Sequence, residues 1–94
     1  MSATAEDIKG WLKEAQRQGA THLIVACDTY DHDNYPVYVM SNQNIQQEIS
    51  QRRGQNMQTI DEVYNMAMDI EFQLNEHRAF HPDIPKDYLA EKKS

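Results

Sequence analysis

The sequence predicts a small α+β domain in the order helix–β-hairpin–helix–helix (αββαα), on three observations. A capped amphipathic stretch opens the chain, two short β-branched runs follow across a polar turn, and a long segment with helical spacing of its apolar residues comes last. At 94 residues the chain suffices for one domain with a thin core. The compact part is expected over residues 1–81, with 82–94 as an extended or frayed tail, since "HPDIPKDYLAEKKS" carries two of the three prolines and mixed charge.

The first helix is expected over 4–18. Thr4 and Asp7 stand at capping-box spacing, with Asp in place of the usual Glu, and Gly19 suits the left-handed residue that ends a helix. Ile8, Trp11, Leu12 and Ala15 fall at i, i+3, i+4 and i+7 and make one apolar stripe. Lys9, Lys13 and Arg17 lie on the far side, as a solvated face or an anion-contacting one.

"ATHLIVACD" (20–28) is too short and too β-branched for a helix, and "YPVYVM" (35–40) is a second strand, with 29–34 turning between them. Alternation puts Leu23, Val25 and Cys27 on one face and His22, Ile24, Ala26 and Asp28 on the other, while Val37 and Val39 oppose Tyr38 and Met40. Both faces are apolar, and a lone hairpin is not stable in water. The chain's own helices can cover one face. The other asks for a further helix or another subunit.

"SNQNIQQEISQRR" reads as a short helix ending at Gly54, with Ile45 and Ile49 as its apolar anchors and Arg52 and Arg53 complementing the dipole in its last turn. The final helix is expected over 57–77, where Ile60, Val63, Ala67, Ile70 and Leu74 follow a 3-4-3-4 spacing. Tyr64, Met68 and Phe72 add a second row four apart, and Glu62, Asp69 and Glu76 form an acidic strip opposite. So wide an apolar arc predicts self-association, with Tyr64, Met68 and Phe72 at the oligomer contact.

Nine Lys and Arg against fifteen Asp and Glu give a net charge of -6, which works against long nucleic acid as a partner but leaves room for a small anion held by local donors. No apolar run approaches the ~18 residues of a membrane span, and "MSATAEDIKGW" is acidic and polar where a signal peptide is basic and then apolar. A cytoplasmic protein with no membrane partner is the expectation. The single cysteine, Cys27, excludes an intramolecular disulfide and a Cys-rich zinc site.

"CDTYDHDNYPVYV" holds the densest chemistry. Asp28, Asp31 and Asp33 with His32 have the oxygen-rich character of a divalent-cation loop, although no EF-hand glycine or closing glutamate is present. The same residues suit a partner or ligand contact, or plain turn chemistry in which Asp and Asn side chains bond local backbone. Cys27 and His22 are an odd number apart and face opposite ways, which excludes a Cys/His nucleophile pair. Glu71 falls in the middle of the apolar arc, where its carboxylate requires a partner such as His22 or Arg78, or else a rim position at a subunit contact. Tyr30, Tyr35, Tyr38 and Tyr64 are stacking surfaces or strand packing. His77 and His81 precede Pro82 without a third ligand and read as a solvated tail. No phosphate loop, Rossmann fingerprint or serine elbow occurs, and no cofactor is implied.

The string "GATHLIVACDTYDHDNYPVYV" (19–39) resembles a family of short proteins encoded by tailed bacteriophages. Members carry Gly-Ala-Thr-His, an apolar run, Cys-Asp-Thr-aromatic-Asp and Tyr-Pro-Val-Tyr-Val. "NMQTIDEVYNMAMDIEFQLNEHRAFHP" is similar more loosely. Tyr30 stands where members carry Phe, and Asn34 where they carry an acid. The resemblance implies a viral setting and supplies no catalytic residue. In that setting the expected function is a non-enzymatic accessory binding protein that counters host defence, by sequestering a small nucleotide signal or by binding a host protein. Its alternatives are a divalent-metal hydrolase acting on nucleotides and a structural or regulatory protein. The binding residues expected are Asp28, Asp31, His32, Asp33 and Tyr35 at the turn, with His22, Tyr38 and Glu71 behind it.

Overall fold

The capping box predicted at the chain start forms. In a computed structural model that describes residues 3–52, 58–76 and 78–84, Thr4 Oγ1 accepts from the Asp7 backbone N–H at 3.2 Å, and Asp7 Oδ2 accepts from that of Thr4 at 3.0 Å. Helix α1 (Ala5–Gln18) ends at Gly19, whose φ of 77° is the left-handed conformation that the missing Cβ permits, and the Ala20 N–H closes back on the Ala15 carbonyl at 2.9 Å. Strands β1 (His22–Asp28) and β2 (Asn34–Val39) form the hairpin, and α2 (Ile45–Arg52) follows. Arg53, Gly54 and Met57, expected at the end of one helix and the start of the next, lie outside the described residues.

The fold class is α+β, with the helix–hairpin–helix order expected, but the segment expected as a long final helix divides differently. Gln58–Asn65 is a third strand, β3, and only Ile70–Leu74 is helical, α3. The sheet order is β2-β1-β3 and both pairings are antiparallel, so β1 is central. Physically, β1 decides this. Leu23, Ile24, Val25 and Ala26 are all at most 1% exposed, so both faces of the strand are buried and its two edges each need a partner. β2 fills one edge. "QTIDEVYN", with β-branched Thr59, Ile60 and Val63 beside Tyr64, fills the other.

A bulge explains why this strand carries helix-like spacing. The register passes from Val25↔Glu62 to Ala26↔Ile60 and leaves Asp61 as the extra residue. Ile60 and Val63, three apart, therefore pack on the same face. Tyr64 goes to the opposite face, paired across from Leu23.

The result is three layers. On one face of the sheet, Leu23, Val25 and Tyr64 pack with Leu12 and Ala15 of α1, and Ile8, Trp11, Ile70 and Leu74 close over them. On the other, Ile24, Ala26, Val39 and Val63 pack against Ile49 of α2, flanked by Ile45. Each fully buried Leu, Ile or Val contributes about 1.5–3 kcal/mol. The second sheet face, expected to need either a helix or another subunit, is covered by α2. Tyr64 and Met68, expected at an oligomer contact, are 2% and 3% exposed within the single chain, because a strand and a turn bury them where a helix would have displayed them. Of that row only Phe72 reaches the surface.

Beyond α3 the chain returns to the outer edge of β3. The Val63 N–H donates to the Ala79 carbonyl and the His81 N–H to the Val63 carbonyl, each at 2.9 Å, in a parallel bridge at Phe80. Residues 85–94 of the expected tail, and His77, lie outside the described residues.

Candidate functional site

The hairpin turn is held by its own carboxylates. The Asp28 N–H donates to the Asp33 carbonyl at 2.9 Å, and the His32 N–H donates to the Asp28 carbonyl at 2.7 Å. Asp28 Oδ1 accepts from the Tyr30 N–H at 2.8 Å and Asp31 Oδ1 from the Asp33 N–H at 3.1 Å. Both are the local side-chain-to-backbone turns for which aspartate is suited. His32 sits at φ 60°, a conformation uncommon for a residue with a Cβ. The outcome is a fixed turn with Asp31, His32 and Asp33 exposed and Tyr30 projecting at 79% exposure.

Asn34 anchors the base of this turn. Its Nδ2 donates to the Ala26 carbonyl at 3.2 Å and to Asp61 Oδ2 at 2.9 Å, while its Oδ1 accepts from the Ala3 N–H at 2.8 Å. One side chain of β2 thus reaches across β1 to the bulge residue of β3.

The other expected site residues do not gather behind the turn. Tyr35 packs on the α2 side of the sheet and Tyr38 on the α1 side, because they are an odd number apart on one strand. Burial, with nearby Glu14, pushes the Tyr38 phenol up from its ordinary range. His22 lies at the far end of β1. Its Nε2 donates to the Pro82 carbonyl at 2.9 Å, which fixes the proton on that nitrogen, and its Nδ1 meets the Thr21 hydroxyl at 2.9 Å. It lines a cleft of about 590 Å³ with Asn65, Met66 and Pro82.

Glu71, placed by helical reasoning inside the apolar arc, is exposed on α3. It lines a separate groove against Lys9 and Lys13 and pairs with neither His22 nor Arg78. Arg78 belongs to a third cleft, of about 470 Å³, beside Asp61, Glu62 and Glu76. His81, expected in a solvated tail, meets the Glu76 carboxylate at 2.5 Å.

Cys27 is held protonated. Burial pushes its thiol up, and the carboxylate of Asp61 and then those of Asp28 and Asp31 add to it, the opposite of what activates a nucleophile. Among the described residues no three His, Cys, Asp or Glu side chains come together as a metal site requires. Tyr30 is the site residue missed when the tyrosines are read together. Its signal is position: it falls inside the turn, where no strand face can bury it, whereas Tyr35 and Tyr38 fall in β2.

No protein-family model, curated protein or solved structure matches the chain. Among the described residues no helix is long and apolar enough to cross a membrane.

Proposed function

We propose that the chain is a non-enzymatic binding protein that presents its 30–33 turn to a basic surface of a partner protein, in the bacteriophage setting a host component. The observation that carries this reading is the 79% exposure of Tyr30 on a turn whose backbone is already fixed by four hydrogen bonds. Exposed aromatics on pre-ordered backbone are the anchors that interfaces use, since little conformational freedom is lost on docking. The carboxylates of Asp31 and Asp33 beside it supply charge complementarity to a basic partner and accelerate encounter.

Two competing uses of the same residues have less support. A metal-dependent hydrolase needs convergent ligands, whereas Asp28 and Asp31 each accept a backbone N–H of the turn. A nucleotide pocket at this site needs tyrosines that act together, whereas Tyr35 and Tyr38 sit on opposite sheet faces and Tyr64 is buried.

The test is retention of host-cell protein by the immobilised chain, quantified by mass spectrometry. Tyr30→Ala is expected to weaken retention of the specific partner by about thirtyfold, the size of an interface hot spot. Gln46→Ala, at an exposed position of α2, is expected to leave it unchanged. Equal retention by the Tyr30→Ala and native chains would refute the reading.

A further inference from the structure

The groove between α1 and α3 joins three properties. Its floor is apolar, formed by Leu12, which is 2% exposed, with half-buried Ile70 and Leu74. One wall carries Lys9 and Lys13, four apart and so stacked one turn above the other on the same side of α1. The opposite wall carries Glu71. From this juxtaposition we propose that the groove is a binding site for a small amphiphilic anion, whose apolar body lies on the floor and whose carboxylate or phosphate bridges the two lysines.

Three observations select that occupant. The groove measures about 340 Å³, at the small end of the range for small-molecule sites (roughly 300–1,000 Å³). Neither lysine takes part in the ion pairs of Arg17 with Glu14 and Arg52 with Glu48, or in the hydrogen bond of His81 with Glu76. Arg17, the third cation of that helix face, is committed: it and Gln18 hold the Glu14 carboxyl down at about 2. Two ammonium groups one turn apart repel each other, and an anion between them relieves the repulsion. In a chain of net charge -6 this is a local reversal of sign. Glu71 sets polarity, holding the anionic end of the ligand to the α1 wall.

The site is independent of the hairpin turn, so either can fail alone. Its test is a titration of the ¹⁵N-labelled protein followed by amide NMR, with phenyl phosphate, phenylacetate and uncharged benzyl alcohol as probes. Saturable shifts centred on residues 9–13 and 70–74 are expected with the two anions and not with the alcohol. Tighter binding of phenyl phosphate assigns a phosphorylated ligand class, and parity or preference for phenylacetate a carboxylate class. Lys9→Gln and Lys13→Gln, both at exposed positions that leave the floor intact, are each expected to weaken binding by about three- to tenfold. Glu71→Gln is expected to strengthen it. The proposal fails if benzyl alcohol binds as well as the anions, or if the shifts scatter over every cationic residue. It also fails if neither lysine substitution changes the affinity, or if Glu71→Gln leaves a groove that binds no anion.

Discussion

Gln73 has no exposed surface, and its side-chain amide works as a piece of backbone. Oε1 accepts from the Asn65 N–H at 2.7 Å, and Nε2 donates to the Asn65 carbonyl at 2.9 Å and to the Asp69 carbonyl at 3.2 Å. It thereby ties α3 to the end of β3. Gln73→Leu keeps much of the volume but strands the buried Asn65 N–H, and is expected to destabilise the fold by about 1–3 kcal/mol. A lowered urea midpoint at unchanged slope checks this. Tyr64 makes a pH prediction. Burial first, then its 2.8 Å hydrogen bond to Glu62, pushes the phenol well above its ordinary value of 10.0. A raised folded-state value favours the protonated form, so the stability it contributes is complete below pH 10 and is lost as pH rises through the folded-state value. Unfolding free energy is therefore expected to fall above pH 10, and Tyr64→Phe, which has no proton to lose, to fall less over the same interval. Cys27 acts in the same direction from its ordinary 9.0, so the comparison is made between chains that both retain it.

Among the elements, α2 carries more than its length suggests. It spans eight residues, and Ile49, at 5% exposure, is its one buried side chain over the sheet. Ile49→Ala is expected to destabilise by about 2–4 kcal/mol and to open that face to a hydrophobic dye, read by urea titration and dye fluorescence. How far each element is legible in the sequence follows from how local its causes are. The Thr4–Asp7 box and Gly19 act within one turn of α1, and the alternation of β1 and β2 sorts their residues to the faces they occupy. β3 is different. The bulge at Asp61 places Ile60 and Val63 on one face at three-residue spacing, and Ile70 and Leu74 continue that spacing in a true helix. Periodicity alone therefore reads one long helix. The signal against it is non-local: a β1 buried on both faces needs a strand on each edge. The misplacement of Tyr64 and Met68 follows from reading a strand and a turn as helix, and that of Glu71 from running one helix through them when α3 starts afresh at Ile70.

On the scale of the whole molecule, α1 and α3 cover one face of the sheet and α2 the other. The chain carries a net charge of -6, and its 30–33 turn is exposed, with Tyr30 at 79%. The cluster of Asp28, Asp31, His32 and Asp33 was legible because all four residues lie in one short loop. Its depth was not, because Tyr35, Tyr38 and His22 are sent to different surfaces by the pleat and by the length of β1. The most direct measurement is photo-crosslinking in cells that produce the protein, with a benzophenone side chain at position 30 and, in parallel, at exposed position 46 on α2. Docking through the turn predicts one dominant crosslinked protein from position 30, absent from position 46 and diminished by Asp31→Asn with Asp33→Asn. Identical products from both positions, or none from position 30, would contradict it.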